Sequence, residues 1–224
     1  MFKKQAQHYL LLIVLLVSVT FLATGDMLSG QLWGISTQTW LWIAVATPVL
    51  HQIVVALLWR AELHHRKMTD WFGDKAFPVY KVIFTILFVG RPITLILLGI
   101  SNAYTLDLNS TLANVLAGIL FIPFAYTMYS VVHYFGINRA YGMDHFDPLT
   151  YGNKPFVKLG MFKYTDNAMY KFGFLILWVI ALVFLSKAAL LVAAFNHLYI
   201  WVHFYFTELP DIKYIYGNRI EESA

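Results

Sequence analysis

Cysteine is absent from the 224 residues, so disulfides, thiolate nucleophiles and cysteine-held metals are excluded. Charge is scarce: Asp, Glu, Lys and Arg make up 12% of the chain, against 59% hydrophobic residues. A soluble domain is nearer a quarter charged. The chain therefore reads as an integral membrane protein, and its length suits a single domain. Lysine and arginine are missing altogether from 25–38 and 101–110. The net charge is only +4, and the basic residues lie in short stretches between apolar runs. That pattern reports topology and argues against a nucleic-acid partner.

What is present is a series of long apolar runs. About 20 apolar residues cross roughly 30 Å of hydrocarbon. Four runs meet this, at about 8–24, 39–59, 78–100 and 111–135. A fifth, 170–206, is too long for one helix at about 1.5 Å per residue. It divides into a helical hairpin turning at Ser186 and Lys187. The expected fold is an all-α, polytopic membrane protein of about six transmembrane helices, with 1–110 as N-terminal helices and 111–224 as the C-terminal core. "MFKK" before the first run and "FLATGD" after it also fit a cleaved signal peptide. The length of the run and the alternation of loop charge favour a retained helix.

The basic residues lie at Lys3 and Lys4, in 60–77 (Arg60, Arg66, Lys67, Lys75), in 136–169 (Arg139, Lys154, Lys158, Lys163) and in the tail (Lys213, Arg219). By the positive-inside rule both termini and these segments face the cytoplasm, in a bacterial inner membrane or the endoplasmic reticulum. Lys187 is the exception at the far end.

Polar aromatic, His, Asn and Glu residues concentrate in the C-terminal half, at the cytoplasmic ends of the runs. Three stretches carry them: "HYFGINRAYGMDHFDP" (133–148), "GMFKYTDNAMYKFG" (160–173) and "HLYIWVHFYFTELPDIKYIYG" (197–217). In the last, residues eleven apart differ by about 20° around a helix, so His197 and Glu208 share a face with Trp201 between them. Glu208 falls at the membrane boundary, where a carboxylate either snorkels to water or serves a site. In the second stretch, Tyr164, Asn167 and Tyr170 are spaced to share one face of a helix start, with Asp166 or Asn167 as its cap. Gly160 suits a turn and Gly173 close packing. Asp144, His145 and Asp147 read as turn formers rather than metal ligands. Arg91, mid-run beside Pro92, is costly unless it meets a lipid phosphate or a carboxylate, and no acidic partner is visible in the runs.

The pattern G-x-F-K-Y-T-x-N-A-M-Y-x-F-G followed by T-E-x-P-D-I-K-Y-I-Y-G resembles the paired signatures of the phospholipid and isoprenylcysteine methyltransferase superfamily. It is most similar to those of the phosphatidylethanolamine N-methyltransferases, over about 130–220. The resemblance implies a helical membrane enzyme that binds S-adenosylmethionine from the cytoplasmic side. Tyr164, Asn167, Met169, Tyr170 and Gly173 match the first motif, and Glu208, Tyr216 and Gly217 the second. Ala168 stands where proline is usual, and Thr207 where a first glutamate is usual.

The chemistry suits these residues. A sulfonium and a methylated amine are both cations, and aromatic faces stabilise cations. An amine acceptor must lose a proton, which His133, His145, His197 or Glu208 could take. Arg139 could hold the cofactor carboxylate or a lipid phosphate, or simply set topology. The expected function is S-adenosylmethionine-dependent methylation of a membrane lipid, above all the headgroup amine of phosphatidylethanolamine. The alternatives are another membrane-soluble acceptor, such as a prenylcysteine carboxylate or a thiol, a reductase of related core, and a non-catalytic scaffold. Oligomeric state is open.

Overall fold

The computed structural model describes residues 4–220, with side chains to Gly217; Lys3 and the Arg219 side chain lie outside it. The structure is 81% helical, and among the described residues the sheet is a single hairpin, β1 (Gln31–Leu32) with β2 (Ile35–Ser36). The all-α expectation holds. In order, the helices are α1 (Gln5–Leu22), α2 (Thr37–His65), α3 (Lys67–Phe72), α4 (Ala76–Ser101) and α5 (Ser110–Ser130). There follow the short α6 (Ile137–Ala140) and α7 (Pro148–Gly152), then α8 (Leu175–Val183), α9 (Lys187–His203) and α10 (Leu209–Ile220). Three wider π turns adjoin them. Val131–Phe135 prolongs α5, Met169–Gly173 leads into α8, and Phe204–Glu208 joins α9 to α10.

Among the described residues five segments are long and apolar enough to cross a membrane: Gln5–Leu22, Thr37–His65, Lys67–Ser101, Ser110–Phe135 and Lys187–Gly217. The sixth expected crossing falls on Met169–Val183, which is apolar but shorter. The outer faces are hydrophobic. Leu10, Ile13, Val17 and Phe21 of α1, Val82, Ile86 and Ile93 of α4, and Val115, Ile119 and Ile122 of α5 are all exposed. Apolar surface on this scale suits lipid rather than water. Inside, α2, α4, α8 and α9 meet through small residues, with Ala44, Ala181, Ala188, Ala189 and Ala193 almost fully buried. Such residues let helix backbones approach closely where no hydrophobic drive separates lipid from protein.

The hairpin turns where the sequence indicated. The Ser186 hydroxyl accepts the Ala189 N–H at 3.1 Å and starts α9. Asn102, 1% exposed, ties this turn to its neighbours. Its Oδ1 accepts from the Ser186 hydroxyl and the Ala188 N–H, both at 3.0 Å, while its amide donates to the carbonyls of Asp26 and Ser29. Lys187, the exception to the charge pattern, reaches Asp26 at 3.2 Å.

At the other end the structure corrects the reading of 60–77 as a loop. Ala61, Glu62 and Leu63 are good helix formers, and α2 runs on to His65 before Arg66 takes a left-handed conformation. His64 therefore belongs to α2, its ring 5.1 Å from that of Tyr214. Glu62 accepts the N–H and hydroxyl of Thr69 in α3. Arg60 is not a loop charge. It is 3% exposed, with its Nε 3.1 Å from both carboxylate oxygens of Asp211 in α10. Its Nη2 also donates to the Thr207 carbonyl at 3.0 Å and the Phe206 carbonyl at 3.4 Å.

Pro210 explains the need. It lacks the N–H that would bond back to the carbonyl of Phe206, four residues earlier, and that carbonyl takes the Gln5 amide at 3.2 Å and the Arg60 guanidinium instead. Removing one member of a buried pair strands its partner, at about 3–5 kcal/mol. Arg60→Ala and Asp211→Ala should therefore each lower the thermal midpoint of the purified protein markedly, while the apolar double variant Arg60→Met/Asp211→Leu recovers only part of the loss, because the Phe206 and Thr207 carbonyls still lack the Arg60 donor. Single variants that melt with the wild type would show the pair to be dispensable.

Candidate active site

Helix α8 and its leading π turn run antiparallel to α9, and the contacts between them place the sequence candidates. The Trp178 indole donates to His197 Nδ1 at 3.0 Å. Phe174 lies 5.8 Å from the His197 ring. Tyr170 lies 6.1 Å from Trp201 and 5.6 Å from Phe204, and its hydroxyl donates to the Glu208 carboxylate. His197, Trp201 and Glu208 thus all face the 169–183 segment, as their spacing predicted. Both π turns contribute, Tyr170 from one and Glu208 from the other. Such widened turns are frequent at functional sites.

A second group lies beyond the helix ends. The Tyr216 hydroxyl donates to Asp144 Oδ2 at 3.0 Å, and His145 Nδ1 meets Asp144 Oδ1 at 3.0 Å. Arg139 lies over the rings of Phe135 and Tyr216, at 5.1 and 5.8 Å, and donates to the Pro155 carbonyl. His145 stacks on Trp59 at 4.2 Å. That stack requires Gly142, where φ is +83° and a Cβ would lie 2.5 Å from the Trp59 ring. His145 Nε2 is 3.7 Å from Asp211, too far for a hydrogen bond but close enough for its charge to act.

Not every candidate joins these groups. The expected helix start is a correction: 160–163 forms a tight turn, the helix begins only around Ala168, and no side chain caps it. Tyr164 therefore precedes the helix and is 73% exposed, while the Asn167 N–H meets the Thr165 hydroxyl at 3.4 Å. Gly160 does turn the chain at φ +58°, and a Cβ there would strike Ser130, whose hydroxyl accepts the Met161 N–H. Met169 packs against the cluster of Val131, Met161, Phe162 and Ala168, and Gly173 faces Met128. His133 is exposed, stacked on Tyr129 at 4.0 Å, with no contact to Tyr170 or Glu208.

The sequence reading missed Arg60, Asp211, Gln5 and His8 as supports. Thr207, in place of the usual glutamate, is fully buried, and its hydroxyl meets Gln5 at 3.2 Å and His8 at 3.1 Å. The signal was the pair Pro210–Asp211 in an apolar stretch, a lost donor beside a charge that must find a partner.

The arrangement suits a cationic cofactor with an amine and a carboxylate. Glu208 offers a carboxylate at the hydroxyl of Tyr170, whose ring packs with Trp201 and Phe204, and aromatic rings favour cations. Arg139 supplies a guanidinium beside Tyr216. These residues fit S-adenosylmethionine. Residues 112–219 match the phospholipid methyltransferase family. The resemblance read from the two motifs is borne out over that span, just under half of the chain, which includes the three π turns and, Trp59 apart, both groups above. The match points to a membrane methyltransferase acting on lipid. No match was found among curated proteins or among solved structures. The longest part of the matched span outside the apolar helices is 136–168, and it contains the Asp144–His145 pair.

Burial works against charge on His145, but Asp144 beside it, and Asp211 behind, outweigh burial and push its pKa up to about 9. A histidine raised on folding contributes stability that is whole below its unfolded value, near 6.5, and is lost as pH rises through about 9. Wild-type stability should therefore fall between those values more steeply than that of His145→Gln. Thermal midpoints across that pH range, superimposed in slope, would show that the pair carries no charge.

Proposed function

We propose that this protein transfers a methyl group from S-adenosylmethionine to the headgroup amine of a phospholipid, phosphatidylethanolamine above all, at the cytoplasmic face of the membrane. The observation that carries the reading is the Tyr170–Glu208 pair, held across two π turns and flanked by Trp201 and Phe204. The cofactor supplies an electrophilic methyl group. The protein must align the acceptor nitrogen with it at about 3–3.5 Å and take the proton that the ammonium loses.

Glu208 is the best placed proton acceptor. His197 Nδ1 accepts from the Trp178 indole, which is only a donor. Its free electron pair is occupied, so protonation there would break that bond. His145 is held protonated by Asp144 and cannot serve as base at neutral pH. His133 stands apart, with Nδ1 at the Tyr129 carbonyl. Tyr170 orients the Glu208 carboxylate by donating to it, and the aromatic faces hold the methylated cation as charge accumulates on nitrogen. Arg139, beside Tyr216 at the chain's basic end, is the candidate for the cofactor carboxylate.

Glu208→Gln should lower methylation of phosphatidylethanolamine by about a hundredfold or more, the scale of a lost general base, whereas His197→Asn should cost far less. The decisive measurements are S-adenosylmethionine binding by calorimetry on detergent-purified protein and label transfer to defined lipids. No cofactor binding by folded wild type, with or without phospholipid, would sink the proposal. Binding without transfer to any amine phospholipid, but with transfer to a prenylcysteine acceptor, would replace the substrate.

A further inference from the structure

Arg91 lies in the middle of α4, 4% exposed, and its Nε and Nη2 have no hydrogen-bond partner. Among the described residues no carboxylate pairs with it; the Phe174 ring covers the guanidinium at 5.5 Å. His51 of α2, 4% exposed, packs on Phe84 and Phe88 of α4 at 4.7 and 6.2 Å, one turn from Arg91, and His203 of α9, 2% exposed, belongs to a helix packed against both. Both ring nitrogens of His51 and Nδ1 of His203 are also without partners. Three helices that pack together thus each carry an unpartnered buried polar side chain on this side of the molecule. A buried arginine with no anion is costly, and in a membrane it marks a functional site. A guanidinium with imidazole N–H groups is the donor set for an oxyanion, gripped bidentately.

Its position says which oxyanion. Phe174, over Arg91, lies about one turn further into the membrane than Tyr170, which holds Glu208. In an ethanolamine phospholipid the amine is outermost and the phosphate lies one ethylene unit deeper, towards the acyl chains. An amine at Glu208 therefore places a phosphate towards Arg91. The cofactor carboxylate would have to pass Glu208 to reach the same spot, with Arg139 already available nearer the basic end.

We propose that Arg91, with His51 and His203, forms the subsite for the phosphodiester of the acceptor phospholipid, an inference that rests on the lipid-amine methyl transfer proposed above. Phe174 moves aside as the lipid enters. The subsite gives the protein a way to prefer a phospholipid over an uncharged lipid with the same chains, because only the phospholipid satisfies the stranded donors.

The test is native mass spectrometry of the full chain in detergent, titrated with dioleoyl phosphatidylethanolamine and with dioleoylglycerol, alongside calorimetry with S-adenosylmethionine. Wild type should prefer the phospholipid. Arg91→Gln should weaken phospholipid binding by about tenfold or more, as expected for hydrogen bonds to a charged group. It should leave dioleoylglycerol and cofactor binding unchanged, and Arg91→Lys should restore part of the loss. An unchanged phospholipid preference in Arg91→Gln, or a loss that falls on the cofactor instead, overturns the subsite. If Arg91→Gln does not fold, His51→Leu decides, since it removes donors but no fixed charge: weaker phospholipid binding supports the subsite and wild-type binding overturns it. Arg91-dependent lipid binding in a protein that transfers no methyl group keeps the subsite and removes the methyl-transfer reading. Methyl transfer with Arg91-independent lipid binding does the reverse.

Discussion

The Arg60 guanidinium, buried between α2 and α10, is the contact on which the C-terminal half depends. It answers two demands at once. The Asp211 carboxylate needs a counter-charge in a dry interior, and the carbonyls of Phe206 and Thr207 need donors where Pro210 interrupts the helix. One planar fork with five donors can meet both; a lysine could not. The residues so held immediately flank Glu208, so the same contact sets where that carboxylate points. Asp211 also faces His145, which draws the 143–145 turn, and through Asp144 the Tyr216 hydroxyl, into the same assembly.

At the opposite end Asn102 has the equivalent task with neutral chemistry. Its amide joins the turn before α9 to the loop after α1. The 169–183 and 187–217 segments are therefore pinned at their shared turn by Asn102 and at the far end by Arg60. Between the pins, Trp178, Phe174 and Tyr170 meet His197, Trp201 and Glu208 in sequence. A methyl-transfer site needs this fixity, because alignment of donor and acceptor carries much of such a reaction.

The N-terminal helices also brace the segment that carries Glu208, although the family match begins only at residue 112. Gln5 and His8 of α1 bond the Thr207 hydroxyl where a carboxylate is usual. A neutral partner set thus goes with a neutral residue. Arg91 comes from α4 and brings a charge that the C-terminal half lacks at that depth, while His51 comes from α2 and offers a neutral donor.

Much of the fold was legible in the sequence. The apolar runs gave the helices, because a backbone in lipid must satisfy its own hydrogen bonds and has few other solutions. The hairpin turn at Ser186 followed from run length, and the common face of His197, Trp201 and Glu208 from helical periodicity. The two motifs marked the C-terminal half. What only the tertiary structure decided was pairing. Arg60 looked like a topology charge at the end of a run, and nothing local distinguishes that from a buried ion pair with a residue 151 positions away. Tyr164 had the right spacing, but the chain spends 160–167 in turns, so spacing no longer meant a shared face. The unpartnered donors of Arg91, His51 and His203 belong to three helices, and their meeting is set by packing alone. Periodicity is a property of one segment and can be read along the chain. Which buried charge finds which partner depends on distances between segments, and those exist only once the helices have packed.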